Sequence, residues 1–429
     1  MKKILVILLT IMLCCSFVFA DEATDKEPVI DYTGTGKVDN FAFQPTMSRF
    51  NAMGQSGLAV AGRLDAFYTN PAALAGGRLG ISAPSVAVTL YNVQKVVADK
   101  SQRDLVASLL KNGDFENDGP ALGEALVKNL GNGYNVLAKV DASVGLALGS
   151  FGLGTNVQVK LHTFAKGSSN LTNTTIIPEV NVAQTLALGI NILKTNSFKL
   201  QAGVSAHFVY KAYLKEIGAN SFINDRKFVA DASTLLWSTP AMGGFAVPID
   251  AGINFTFVDD AIRLSVTANN LNGTYYMRSY SSFGDLVNTV TQKELVKDAP
   301  EGHEAKESSE FRISTPWTLN AGFAFAPNVI FKPTISVDVV DIIGLCEEFK
   351  SEKFETSDIL LHLNAGVELT LALFNLRAGI NRGYASVGAG FALLGVRVEA
   401  AYGWQEFGAL IGDKPVDSFT IRVNLGYDK

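Results

Sequence analysis

From residue 79 onward the chain alternates apolar residues with polar or small ones, segment after segment, and this period of two excludes a helical bundle. From Ala138 the positions Val140, Ala142, Val144, Leu146 and Leu148 are apolar, while Lys139, Asp141, Ser143 and Gly145 between them are not. Phe151, Leu153, Val157, Val159 and Leu161 repeat the pattern, as do Phe198 to Phe208, Val396 to Trp404 and Phe419 to Tyr427. About fourteen such segments can be read, most of roughly nine to thirteen residues. That exceeds the five or six residues of an ordinary soluble strand and matches a tilted strand crossing a bilayer. Their starts lie near 79, 136, 151, 179, 197, 246, 261, 316, 330, 358, 373, 386, 395 and 418.

The connections alternate as well. Short turns fall at Gly149-Ser150, Lys194 to Asn196, Asp259-Asp260, Pro327-Asn328, Leu371-Ala372 and Leu394, and long loops at 93–135, 212–245 and 272–315. Short turns at one end and long loops at the other are the pattern of a barrel with both termini on the periplasmic side. Backbone groups in hydrocarbon must all be paired, and a closed sheet achieves this without edges. The expectation is an all-β protein, a transmembrane antiparallel β-barrel of about fourteen strands over residues 79–429, preceded by an N-terminal plug. A secreted β-sandwich or β-helix also alternates; segment length and loop asymmetry favour the barrel. Phe255, Phe257, Tyr402, Trp404 and Tyr427 fit interfacial girdles.

Residues 1–20 read as an export signal: Lys2 and Lys3, the apolar run Ile4 to Leu13, then Val18-Phe19-Ala20 before Asp21. Leu13 ahead of Cys14 argues against lipidation, and cleavage after Ala20 is expected. Cleavage leaves 34 basic against 41 acidic residues, a charge of −7, with no basic block to suggest nucleic acid. It also leaves Cys346 as the single cysteine, so no internal disulfide can form. Only 18% of residues are charged and mean hydropathy is +0.20, more apolar than a soluble domain usually is.

Residues 21–33 form an acidic lead. Residues 34–78 are rich in small residues, with Ser48-Arg49-Phe50-Asn51-Ala52-Met53-Gly54-Gln55-Ser56-Gly57 followed by Leu58 to Ala75. Gly54 and Gly57 permit tight turns, and Pro71 sets an extended Asn70 ahead of a helical turn from Ala72. About fourteen strands enclose more space than wall side chains fill, so a compact segment here is a natural plug, though a periplasmic lead or a first strand fits the same residues.

Across Arg49 to Ala75 the chain resembles the FadL type of long-chain fatty-acid transporter, an outer-membrane barrel family with spirochaete and PorV-like relatives. The shared pattern is Arg-x-x-x-Met-Gly, then Gly-x-Ala-Val-Ala, Asp-Ala, and Asn-Pro-Ala-x-Leu-Ala. Asp338-Val339-Val340-Asp341, His362 to Glu368, Leu376 to Asn381, Gly388 to Phe391 and Ala400 to Gly403 are similar in style. The resemblance implies a hatch containing Gly54, Gly57, Asp65, Asn70, Pro71 and Ala72. It also implies passage of hydrophobic compounds such as long-chain fatty acids through the outer membrane. A general porin, or a structural or secretion-associated PorV-like partner of other outer-membrane proteins, is the alternative.

Parity alone puts Lys139, Asp141, Lys160, His162, Lys199, His207, Asp250, Arg263, Asp338, His362, Glu368, Arg377, Arg397, Glu399 and Arg422 on the inner face. From these Lys160, His207, Arg263, Arg377 and Glu399 are the candidate pathway residues. Expected partners are membrane lipid and a hydrophobic small molecule. Gln102 to Leu130 predicts a helical pair above the barrel mouth, and Leu235-Leu236-Trp237 an apolar docking site or a loop folded inward. No Gly-x-Ser-x-Gly, P-loop or His-Glu-x-x-His motif occurs, and His162, His207, His303 and His362 are far apart. No catalytic residue, metal or cofactor is expected.

Overall fold

The computed structural model describes residues 42–60, 64–77, 79–113, 118–195, 197–224, 227–229, 232–296, 310–350, 356–407 and 411–428. The signal segment 1–20, the lead 21–33, the start of the plug, Ala61 of the shared motif, Asn196 and His303 lie outside the described residues.

Fourteen antiparallel strands form the wall. They are β1 (Gly80–Tyr91), β2 (Gly133–Leu148), β3 (Phe151–Ala165), β4 (Thr174–Lys194), β5 (Phe198–Leu214), β6 (Ile249–Phe257) and β7 (Ile262–Leu271). The circuit continues with β8 (Thr318–Phe325), β9 (Thr334–Val339), β10 (Leu363–Leu371), β11 (Phe374–Asn381), β12 (Tyr384–Leu393), β13 (Val396–Glu406) and β14 (Pro415–Asp428). Each pairs with its neighbour in sequence. β14 returns to pair with β1, in register from Gly80 opposite Asp428 to Tyr91 opposite Ser418, so the sheet closes and has no edge.

The alternation sorts the side chains as expected. Val86, Val88, Val140, Val144, Leu188, Val204, Leu264, Val367, Ile421 and Val423 stand exposed on the outside. Their neighbours Ala87, Asp141, Ser205, Ser265, Glu368 and Thr420 are buried inside. An apolar exterior on a closed sheet with a polar interior is the arrangement that lipid, not water, stabilises. The protein is a transmembrane barrel of the outer-membrane type. Aromatic pairs mark its two rims: Phe198 with Phe257 at 5.2 Å on the turn side, and Tyr402 with Trp404 at 4.8 Å on the loop side.

Several segments read as loop are strand. β5 runs to Leu214, six residues past the alternation that ended at Phe208. Met242 to Phe245 belong to a strand, Ala241–Ala246, that continues β6 upward and pairs with β5 and with Thr274–Tyr280. Thr274–Tyr280 in turn extends β7, and Glu310–Ser314 precedes β8. Glycines and polar residues blur the period in these pieces, and their partners lie far along the chain. The helical pair above the mouth is present as α1 (Lys100–Asn112) and α2 (Asp118–Asn129), with Ala125 and Leu126 buried. Leu235-Leu236-Trp237 lies on a short helix, α3 (Ala232–Ser238), and Trp237 stacks on Phe283 at 5.2 Å. That loop has folded onto its neighbour α4 (Phe283–Thr291).

Candidate functional site

The described part of the amino-terminal segment touches the inner face of nearly every wall strand. It holds a helical turn at Ser48–Ala52 and two 3₁₀ turns, Asp65–Tyr68 and Pro71–Leu74. Asn70 caps the last of these, its Oδ1 accepting from the Ala72 N–H at 3.1 Å, with Pro71 at the first helical position. Phe50, Met53, Phe67, Asn70, Ala72 and Leu74 are almost wholly buried.

Glycines seat this segment. A Cβ on Gly203 would clash with the Pro71 backbone, one on Gly252 with the Asn70 side chain, and one on Gly379 with the backbone of Met53 and Gly54. Gly152, Gly189, Gly366 and Gly388 face Phe67, Pro71 and Ala75, Met53, and Ala52 in the same way. The inner face is thus shaved to the backbone where the segment lies against it. Glycine is the residue that permits so close an approach.

Polar contacts then pin it around the circumference. On the β9 to β13 side Ser48 Oγ donates to Glu399 Oε2 at 2.7 Å. Arg49 meets Glu368 through Nε at 3.0 Å and Nη2 at 2.8 Å, the forked geometry an arginine offers a carboxylate. The Gly54 N–H donates to Ser386 Oγ at 2.9 Å, and the N–H groups of Gly57 and Leu58 donate to Asp338 Oδ2 at 2.6 and 3.0 Å. On the opposite side Thr46 bonds Asp141, Asn70 Nδ2 donates to Asn254 Oδ1 at 2.5 Å, and Asn269 Nδ2 donates to the Thr69 carbonyl at 3.2 Å. Asp65 lies 3.7 Å from Arg422. All six expected hatch residues therefore contact the wall or the segment's own caps.

The five candidate pathway residues fall in four places. Arg377 and Glu399 come together: Arg377 lies 2.6 Å from Glu368 and 3.0 Å from Glu399, so it links the two carboxylates that Arg49 and Ser48 also use. His207 is across the barrel, stacked on Tyr68 at 5.4 Å and 3.1 Å from Asp250. Lys160 is on the inner face of β3, in register with Glu179. Arg263 sits at the turn-side end, its Nε donating to the Asp260 carbonyl at 3.0 Å.

A second buried group lies towards the loop side. His162 Nε2 is 2.5 Å from Glu179 Oε2, Tyr134 OH is 2.9 Å from His162 Nδ1, and Lys211 Nζ is 3.5 Å from Glu179 Oε1 and 4.7 Å from the centre of the Tyr275 ring. Lys211 escaped the parity reading because β5 runs past the segment recognised in the sequence, and Glu179 because it is the residue at which the recognised part of β4 starts. Ile177, Val209, Tyr213, Met242 and Met277 pack beside them with Phe43.

The regular ladder is interrupted beside His207. β6, β7 and β8 each leave strand pairing at one level, at Val247-Pro248, Asn272-Gly273 and Thr315 to Trp317, where two backbone bonds still cross, from the His207 N–H to the Pro248 carbonyl at 2.9 Å and from the Thr315 N–H to the Gly273 carbonyl at 3.0 Å. Pro248 and Pro316 have no N–H to give, and Asn270 and Asn272 take left-handed φ values of 62° and 61°. Side chains supplement these two bonds. Asn270 Nδ2 donates to the carbonyls of Thr315 (3.1 Å) and Pro316 (2.8 Å), and Asn272 Nδ2 to the Val247 carbonyl (3.2 Å). The β8–β9 seam is paired by backbone only from Ala321 opposite Val339 to Phe325 opposite Ile335; above it the Asp341 N–H donates to Asn320 Oδ1 at 2.8 Å. A cavity of about 30 Å³ lies between the segment and β14 and β1 to β3, lined by Thr46, Asp65, Asp141, Asn156 and Arg422 together with the apolar Met47, Leu64 and Phe67.

Among the described residues no cluster of three or more metal-ligating side chains occurs. No protein-family model and no curated protein matches the chain. Similar solved structures include the Pseudomonas putida toluene transporter TodX, at a TM-score of 0.44 and 11% identity over 91% of this chain and 100% of that one. The Ralstonia pickettii toluene transporter TbuX gives 0.40 and 11% over 90% and 98%, and a Pseudomonas aeruginosa FadL homologue gives 0.41 and 13% over 90% and 99%. The barrel itself rests on its own closed strand pairing.

Proposed function

We propose that the protein is an outer-membrane channel for hydrophobic small molecules, long-chain fatty acids among them, in which residues 34–78 act as a hatch. The observation that carries this reading is the seating of residues 42–77: they lie on a ring of inner glycines and are tied to wall side chains on both sides of the barrel. Fourteen strands would otherwise enclose a wide lumen. A general porin needs that lumen open.

The ties are side-chain bonds, not a strand ladder. Each contributes about 0.5–1.5 kcal/mol net, or about 1.5–3 where a charge is involved, so the segment can leave in steps without dismantling the wall. The interruption at Val247-Pro248, Asn272-Gly273 and Thr315 to Trp317 supports a hydrophobic cargo in particular, because the wall beside Tyr68 and His207, between lumen and lipid, is held there by fewer backbone bonds and by asparagine side chains. In this reading His207 and Asp250 lie along the route, and Arg377 with Glu368 and Glu399 hold the hatch to the far wall.

The test compares the wild type with a deletion of residues 48–75 in fatty-acid uptake by cells and in planar-bilayer conductance. The wild type is expected to take up fatty acid and to conduct little; the deletion is expected to conduct steadily. A large, steady ion current through the wild type would replace this reading with the porin.

A further inference from the structure

The barrel wall is not equally tall all round. β4 and β5 have 21 and 17 residues, whereas β9, β10 and β11 have 6, 9 and 8. At about 3.4 Å per residue and a tilt of about 40°, the eight residues of β11 rise about 20 Å, less than the apolar band of about 25 Å that an outer-membrane barrel presents. In this sector the wall alone cannot cross the hydrocarbon.

The turns of the same sector are apolar. Leu371-Ala372-Leu373-Phe374 joins β10 to β11, Leu393-Leu394-Gly395-Val396 joins β12 to β13, and Val329-Ile330-Phe331 lies between β8 and β9. Ile330 is 80% exposed and Leu394 94% exposed, so nothing among the described residues covers them. The first and third turns adjoin, since the Thr370 N–H donates to the Phe331 carbonyl at 2.9 Å. The turns beneath the tall sector carry polar residues at their tips instead, Gly149-Ser150, Lys194-Thr195 and Asp259-Asp260, with Val258, 61% exposed, beside the last. An exposed apolar patch of this kind marks an interaction surface, and Lys332, exposed beside Phe331, adds the long cation that reaches from apolar surroundings to a phosphate.

We infer that the turns of the β8 to β13 sector are immersed in the periplasmic leaflet and bind its phospholipid, drawing the bilayer thinner on that side, while the turns of the β2 to β7 sector stand in water. Strand shortness and turn apolarity are independent features that coincide from β8 to β11, and the apolar turn between β12 and β13, strands of 10 and 11 residues, adjoins them through the Ala392 N–H bond to the Leu373 carbonyl at 2.9 Å. A hydrophobic span shorter than the bilayer is accommodated by this kind of local thinning.

Nitroxide labels test it. They are placed at Ile330→Cys, Leu373→Cys and Leu394→Cys, with Ser150→Cys and Thr195→Cys for comparison, in a Cys346→Ser background reconstituted in phospholipid vesicles. Labels at 330, 373 and 394 are expected to collide several-fold more with oxygen than with a water-soluble nickel chelate, and those at 150 and 195 to show the reverse. Water-like accessibility at all five positions would overturn the inference. So would protection from both agents that vanishes on dilution to monomers, which would assign the patch to a second copy of the chain. Should a labelled variant not fold, hydrogen exchange of the unmodified protein in nanodiscs compares two matched two-residue turns. Slower exchange at Leu394-Gly395 than at Gly149-Ser150 supports immersion, and equal exchange overturns it.

Discussion

Arg377 shows what a single residue does here. It is 3% exposed and bridges Glu368 and Glu399, the first of which also receives Arg49. Removing it leaves two buried carboxylates facing each other, and the loss of one partner from a buried ion pair costs about 3–5 kcal/mol. Arg377→Leu is therefore expected to lower the urea midpoint in lipid vesicles well below that of Arg49→Ala, since Arg49 is 21% exposed at its side chain and Glu368 keeps Arg377 without it. Equal midpoints would show that the bridge contributes nothing special. Gly203 and Gly379 make the opposite experiment. An added Cβ meets segment backbone that cannot swing away, so Gly203→Ala together with Gly379→Ala should unseat the segment in a folded barrel and raise bilayer conductance. Charges on the inner face could be named from parity, but their partners could not, because Arg49 and Glu368 lie 319 residues apart.

At the scale of elements, the broken strands depend on asparagine. Asn270→Ala removes the donor to the carbonyls of Thr315 and Pro316 and leaves buried acceptors unpaired, at about 1–3 kcal/mol. Faster amide exchange across 272–275 and 313–315 is the expected readout, with β2 to β4 unchanged. Asp99, ahead of α1, is a surface counterpart. It accepts from Ser101 Oγ at 2.6 Å, from the Ser101 N–H at 2.8 Å and from the Gln102 N–H at 3.2 Å, and the Ser101 hydroxyl above all holds its carboxyl below the usual value. A carboxyl depressed in the folded chain adds stability above its unfolded pKa and loses it as pH falls through the folded value. A carbon NMR titration should find the Asp99 midpoint below that of a free aspartate, and Ser101→Ala should raise it. The elements themselves were legible where alternation was clean, as in β2, β3, β13 and β14. They were hidden at Ala241–Ala246, where Gly243-Gly244 break the pattern and the strand is recognised by its pairing with Val209 to Leu214 on one side and Tyr276 to Tyr280 on the other.

For the whole molecule, closure and contents are separable. The wall is held by its ladders, including β1 to β14, and the described residues of the amino-terminal segment add no strand to that ring. A chain lacking residues 48–75 should thus still form a barrel, seen as heat-dependent migration on gels together with β-sheet circular dichroism. Failure to fold would mean that the segment is needed to shape the wall. The uneven height of the wall belongs to this scale too: no single strand reveals it, only the comparison of β4 with β11 around the ring.

The order of polar and apolar residues determined roughly where the strands begin and which side chains share a face, because a strand's facing depends only on local parity, and segment length with loop asymmetry favoured a barrel over a sandwich or β-helix. Which inner residues meet was decided by closure and by the segment within. Glu399 finds Ser48, Asp338 finds Gly57, and His207 finds Tyr68 only after fourteen strands have bent into a ring and brought chain ends together. The inner glycines carry no chemistry in the sequence. Their purpose appears once another backbone lies against them.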